Sequence, residues 1–417
     1  MQVEAEIVAT GDELMSGAVV DSNSATICRR LRDHGIRVRR KTMVGDGVGD
    51  IETALKEASA RARVVIVTGG LGPTEDDRTA AVAAALAGVP LERNAEALAH
   101  VKEMFRRFGR EMPPNNEKQA DVPKGAEILP NPVGTAVGFA MDLQGARAFF
   151  TPGVPREMEK MLEEQILPRV DAMRVSAGAT TSLATRVVKS YGFGESKVEM
   201  ELSGIAWPEE LTVGYRAKFP EIHLRLYAEG EPAKLTPALA WAEAAIRERL
   251  GVRVFGVDDE TMAGVVGKLL TAKGWTIAVA ESCTGGLLGS LLTEVAGSSA
   301  WFDRGFITYS NASKTAQLGV KAATIAGEGA VSEAVVREMA AGAREKSGCP
   351  IALAITGIAG PGGGTPEKPV GTVWIACATA AGVDSRKLSL PGDRERIRLA
   401  SAYAAMDLAR RHLLGAA

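Results

Sequence analysis

Histidine and cysteine are scarce, four of each in 417 residues, and nowhere do about 18 apolar residues run uninterrupted. Cys28, Cys283, Cys349 and Cys377 stand far apart, with no C-x-x-C and no histidine at ligand spacing, so neither a disulfide framework nor a zinc site is indicated. His34, His100, His223 and His412 fall outside every polar motif, which leaves a serine–histidine–acid triad without its histidine. The 49 basic and 51 acidic side chains nearly cancel, giving no long-range field to recruit an anionic membrane and arguing against nucleic acid as a partner. The first residues carry no basic and apolar leader. These absences describe a soluble, cytoplasmic chain that works on small molecules. Its length suggests two or three domains, each able to bury a core.

What is present is an alternation of short β-branched runs with amphipathic stretches. VEAEIVATG, SNSATICRRLRDHG, IRVRRKTMVG, IETALKEASAR and ARVVIVTGG read as strand, helix, strand, helix, strand, at the spacing of a parallel sheet with crossover helices. Ser22 or Asn23 is expected to cap the first helix and Gly35 to close it. A Pro- and Gly-rich segment from Glu117 reads as loops and short strands, and VPREMEKMLEEQILPRV resumes a helical period. Residues 173–256 change to an α+β pattern, with His223 and Arg225 alternating on one strand face. From residue 257, WTIAVAES, IALAITG and GTVWIACATA supply strands again, and RERIRLASAYAAMDLARRHLL closes the chain as a helix. The fold class expected is α/β: two α/β domains with mainly parallel sheets, 1–172 and 257–417, joined by a small α+β domain, 173–256.

Two polar clusters follow strands in the first domain, GDELMSG and TGGLGPTEDD, and strand ends of open α/β sheets are where ligands bind. Thr68, Gly69, Gly70, Gly72 and Thr74 offer backbone and hydroxyl donors for phosphate. Asp12, Glu13, Asp46, Asp76 and Asp77 offer hard oxygens for a divalent metal, Mg²⁺ or a transition metal, able to neutralise a pyrophosphate.

In the last domain, AESCTGGLLGS places Ser282, Thr284 and Gly285 where a strand gives way to a helix, whose start attracts anions. Thr356 and Gly357 form a second strand-end donor cluster, and Arg394 or Arg398 can grip phosphate through two hydrogen bonds. Ser299, Tyr309 and Lys314 then remain for chemistry, with a desolvated lysine taking the serine proton and the tyrosine as relay. Cys283 is a rival nucleophile, because a helix start lowers a thiol pKa.

GDELMSG, TGGLGPTEDD, NPVGTAVGF and TPGVPREM resemble the molybdopterin-binding-like domain of the CinA family of competence/damage-inducible proteins, with Met15 and Val137 where that family more often has leucine and proline. KSYGFGES resembles the family's KH-like connecting domain, although Gly192-Phe193-Gly194-Glu195 has the wrong spacing for a G-x-x-G clamp and sets a carboxylate where phosphate would lie. AESCTGG, GSSAWFDRGFITYSN, ITGIAGPGGG and VGTVW resemble its nicotinamide mononucleotide (NMN) deamidase domain. The resemblance implies metal-dependent hydrolysis of ADP-ribose to AMP and ribose 5-phosphate in the first domain, deamidation of NMN without a cofactor in the last, and a homodimer. It carries function to Ser282, Ser299, Tyr309, Lys314, Thr356 and Arg394, with Ser299 preferred as nucleophile and Ser282 as the other choice. A non-catalytic competence or recombination protein, or a deamidase with an inactive pterin-binding-like first domain, are the alternatives.

Overall fold

The structure is a computed structural model that describes residues 3–178 and 182–416. Cα proximity divides it into two compact units, residues 1–185 with 208–212 and 227–240, and residues 186–207 with 213–226 and 241–417. No helix among the described residues is long and apolar enough to cross a membrane.

The sheet of the first unit is built from β1 (Glu4–Thr10), β2 (Arg37–Val44), β3 (Val64–Thr68), β4 (Glu127–Leu129), β5 (Gly138–Leu143) and β6 (Ala146–Thr151), in the order β2-β1-β3-β6-β5-β4. The β2, β1, β3, β6 half is parallel, and β5 and β4 are antiparallel additions. All five residues of β3 are buried, as a central parallel strand covered on both faces requires. Alternation then sorts its neighbours: Val8, Val65 and Val67 join Ile51 and Leu55 of the helix Val48–Arg61, while Ile7, Val64 and Ile66 join Ile27 and Leu31 of the helix Ser22–Asp33. The outcome is three layers, helix on sheet on helix. Asp21, rather than Ser22 or Asn23, caps the Ser22–Asp33 helix, its carboxylate accepting from the Ser24 N–H at 2.8 Å. Asn23 is instead turned inward, donating to Thr68 Oγ1 and the Gly153 carbonyl. Gly35, at φ +74°, does follow the helix end.

The middle region forms β7 (Ser182–Tyr191), β8 (Leu211–Lys218), β9 (Glu221–Gly230) and β10 (Val254–Val257), in the order β8-β9-β7-β10. His223 is buried, with Nε2 2.6 Å from Glu221 Oε2, a partner that sequence reasoning did not name. At the Gly-Phe-Gly-Glu turn, the Glu195 carboxylate accepts from the Ala217 N–H, so it closes the fold locally.

The sheet of the second unit comprises β11 (Ile277–Glu281), β12 (Phe302–Ile307), β13 (Ile351–Gly357), β14 (Thr372–Thr379) and β15 (Gly382–Ser389), in the order β12-β11-β13-β14-β15. β12, β11 and β13 are parallel, and the other two are antiparallel. One face carries Ile277, Val279, Ile351, Leu353 and Ile355 against the helices Met262–Lys273 and Arg394–Leu414. The opposite face is lined by Ala278, Ala280, Ala352 and Ala354 beneath the helix Glu333–Ser347. Gly342 of that helix lets the helix Asn311–Leu318 pack against it: a Cβ there would meet the Leu318 carbonyl oxygen at 1.9 Å. Both sheets are therefore mixed, with a parallel core whose carboxyl ends carry the candidate sites.

Candidate active site

β11 ends in Glu281, which is 1% exposed. Its carboxylate accepts from the backbone N–H groups of Gly286 (3.0 Å), Leu288 (3.1 Å) and Gly289 (2.8 Å). Residues 282–286 therefore form a turn, and the helix begins only at Leu287. This corrects the expectation of a helix start at Ser282, Thr284 and Gly285: the first donors of the helix, from Gly286, Leu288 and Gly289, hold an internal carboxylate, and the Ser282 and Gly285 N–H groups donate to the Ile355 and Ser282 carbonyls. A carboxylate at the helix start suits the dipole and spares three N–H groups from burial without a partner.

The turn points Ser282 at Lys314, the side chain that the helix Asn311–Leu318 sends inward. Lys314 is 1% exposed, and its Nζ lies 3.0 Å from Ser282 Oγ, 2.8 Å from the Thr308 carbonyl oxygen and 3.3 Å from the Tyr309 carbonyl oxygen. Desolvation lowers its pKa from the ordinary 10.5, only partly opposed by the Cys283 thiol. As a neutral amine, Lys314 can donate its two N–H bonds to the carbonyls and keep its lone pair for the Ser282 hydroxyl, which is the arrangement a general base needs. Among the described residues, neither the Cys283 nor the Thr284 N–H donates to a backbone carbonyl. The hydroxyls of Thr284 and Thr308, both fully buried, also lack hydrogen-bond partners.

Arginines from the start of the helix Arg394–Leu414 complete the surroundings. Arg394 donates to the Gly360 carbonyl at 2.7 Å and to the Tyr309 hydroxyl at 3.2 Å, and Arg398 donates to the Thr284 carbonyl at 2.6 Å. Tyr309 is 62% exposed and engages Lys314 through its backbone carbonyl, not its phenol. A relay through that phenol has no contact to support it.

Ser299 lies elsewhere. β11 and β12 are parallel with Ile277 opposite Phe302 and Glu281 opposite Ile307, so Ser299 sits before the amino end of β12, a strand length of about 15 Å from Ser282. It is exposed in a turn at 298–300. Lys314 thus contacts Ser282, the other choice of nucleophile, and not the preferred Ser299. Thr356 is buried with its hydroxyl donating to the Ala330 carbonyl, so it braces β13, and Gly357 packs against Val373 and cannot hold a Cβ. Burial pushes the Cys283 thiol up to about 11, which removes the rival thiolate. A cavity of about 750 Å³ in this unit is lined by residues such as Thr261, Leu291 and Tyr403 and by none of the chemical groups above.

In the first unit, a cavity of about 500 Å³ at the carboxyl ends of β1 and β3 is lined by Gly11, Glu13, Asp46, Gly69, Gly70, Gly72, Asp76 and Asp77, as the strand-end argument predicts. Asp12 adjoins it through paired hydrogen bonds with Asp46, each backbone N–H donating to the other's carboxylate at 3.0 Å. Burial raises the Asp46 pKa, with Asp12, Glu13 and Asp76 adding repulsion. Gly69, at φ +110°, has no room for a side chain, since a Cβ there would lie 2.3 Å from the Thr10 carbonyl oxygen. Two donors are already committed: Thr68 to the Pro152 carbonyl, and Thr74 to Asp77 Oδ2 through both N–H and hydroxyl. Among the described residues no three acidic, histidine or cysteine side chains converge as a metal-holding group. Glu157 was not singled out in the sequence although it lines the cavity and lies in the TPGVPREM motif, and Asn131, which opens NPVGTAVGF, donates to it at 2.7 Å.

Comparison with known proteins gives three consecutive family matches: "Probable molybdopterin binding domain" over residues 6–172, "Damage-inducible protein CinA KH domain" over 185–256, and "CinA C-terminal domain" over 259–413. The chain is similar to a CinA-like protein of Citrifermentans bemidjiense, 46% identical over 410 residues that cover 98% of this chain and 97% of that one. It is likewise similar to a CinA-like protein of Geobacter metallireducens, 46% identical over 410 residues, 98% of each chain. Among solved structures it is similar to a competence/damage-inducible protein of Agrobacterium tumefaciens, 44% identical over 35% of this chain and 90% of that one, with a TM-score of 0.35. A CinA superfamily protein of Klebsiella pneumoniae is 38% identical over 37% of this chain and 96% of that one, with a TM-score of 0.36.

Proposed function

The chain belongs to the CinA family, its relatives matching it along nearly its whole length, and from that premise we propose that it is a bifunctional hydrolase of pyridine-nucleotide turnover. The second unit deamidates NMN to nicotinate mononucleotide and ammonia. The observation that carries this reading is the 3.0 Å contact between Ser282 Oγ and the buried Lys314 Nζ. Lys314 takes the Ser282 proton as the oxygen bonds to the carboxamide carbon, and the Cys283 and Thr284 N–H groups receive the developing oxyanion. The carbon–nitrogen bond breaks, Lys314 returns the proton to the leaving nitrogen, and ammonia departs from an ester on Ser282. Water then attacks that ester with Lys314 again as base, giving the carboxylate and free Ser282. Arg394 and Arg398, beside the turn, suit the phosphate of the substrate.

The first unit hydrolyses ADP-ribose to AMP and ribose 5-phosphate. A divalent metal would neutralise the pyrophosphate there, and the hard oxygens of Glu13, Asp46, Asp76 and Asp77 around one cavity suit such an ion. Because no three of them converge, part of its coordination would come from substrate phosphate or water. The same observation favours a second reading, in which this unit binds a phosphorylated ligand without hydrolysing it. Cytoplasmic location and a homodimer complete the proposal.

Incubating the chain with NMN and assaying ammonia tests the first activity, and AMP formation from ADP-ribose before and after chelation tests the second. Ammonia release that survives Lys314→Ala unchanged would defeat the Ser282–Lys314 mechanism. Its complete absence from the native chain would favour a binding role.

A further inference from the structure

β2 is a free edge of the first sheet, and its sequence RVRRKTMV brings Arg37, Arg39, Arg40 and Lys41 together. Successive side chains of a regular strand alternate between faces. Here the pairing skips a residue: Ala5 lies opposite Val38, but Glu6 lies opposite Arg40, so Arg39 is the extra residue of a β-bulge. A bulge bends the strand and re-aims its side chains. All four cations consequently line one hollow of about 460 Å³, which Arg32 of the preceding helix also enters.

The hollow thus has five cationic side chains against one carboxylate, Glu229, in a chain whose charges otherwise nearly cancel. Arg39 is paired with Glu4 at 3.1 Å, and Arg32 is fixed over the Tyr227 ring at 4.6 Å. Arg37, Arg40 and Lys41 are exposed and make no ion pair among the described residues. Keeping an edge strand from pairing with another chain needs only a charge or two. Crowding five cations around a concavity costs mutual repulsion that a bound polyanion offsets. Four of the five are arginine, whose planar fork matches two phosphate oxygens at once, and the volume suits a nucleotide-sized ligand.

We propose that this hollow binds a small anion carrying two or more phosphate groups, at a site separate from both candidate catalytic sites. Inorganic tripolyphosphate serves as the probe, titrated calorimetrically into the full chain at low and at physiological salt. The wild type should bind with an affinity that falls as salt rises. The triple variant Arg37→Glu, Arg40→Glu, Lys41→Glu should lose one binding event per chain, or show it weakened by about tenfold or more, with an unchanged melting profile. If the triple variant does not fold, Arg40→Gln and Lys41→Gln singly should each weaken that event. Unaltered stoichiometry and affinity in the variants, or no binding to the wild type at millimolar probe, would overturn the proposal. So would binding of a single-stranded oligonucleotide to this face without binding of tripolyphosphate, which would make it a nucleic-acid surface.

Discussion

Burial strips an ammonium of its hydration, and Lys314 is held at 1% exposure by two backbone carbonyls and one serine hydroxyl, with no carboxylate among its hydrogen-bond partners. Its folded pKa is therefore depressed, so between that value and 10.5 the unfolded chain binds more protons at this group than the folded chain does. Stability from this residue accordingly rises with pH across that window. Ammonia release should rise through the same limb, because the proposed mechanism uses the neutral amine as base. A pH profile of kcat/KM checks this, and Lys314→Arg should give a flat profile lowered by about 10²–10⁴-fold, since a guanidinium keeps its proton. Cys283 beside it should be dispensable: Cys283→Ala is expected to retain ammonia release and lose only packing stability, measurable as a lower melting temperature, because its thiol stays protonated at neutral pH.

At the scale of elements, the turn after β11 depends on Glu281. Glu281→Ala would leave three backbone donors without an acceptor and should destabilise the second unit by about 2–4 kcal/mol in urea unfolding, whereas Glu281→Gln keeps an acceptor and should cost less. Sequence reasoning assigned Lys314 to Ser299, and the structure sets it against Ser282, whereas the strand–turn–helix here was legible in WTIAVAES followed by glycines. The role of Glu281 was not, because a carboxylate at a strand end reads equally as a ligand, a cap or a surface charge until its partners are known. Ser299 misled for a related reason. Its motif GSSAWFD adjoins the strand that leads to Lys314, and only the parallel register shows that it stands at the opposite end of that strand. Periodicity gives an element's existence but not which end of it carries chemistry.

Across the whole chain, the α/β alternation at both ends and the α+β change between them were readable because buried parallel strands are nearly continuous apolar runs. The antiparallel additions β4, β5, β14 and β15 were not, since a strand's direction depends on connections whose geometry leaves little trace in composition. The charge concentration around β2 was hidden by a near-zero net charge, which averages over the chain what a bulge gathers locally. The two proposed chemistries should respond separately. Chelation is expected to stop AMP formation from ADP-ribose and leave ammonia release from NMN unchanged, and equal loss of both would mean that one metal serves the whole chain.

The most direct measurement compares ammonia release from NMN by Ser282→Ala and Ser299→Ala, each verified as folded. The account predicts that Ser282→Ala loses release by about 10³-fold or more, while Ser299→Ala stays within a few-fold of the wild type. Loss confined to Ser299→Ala would contradict it.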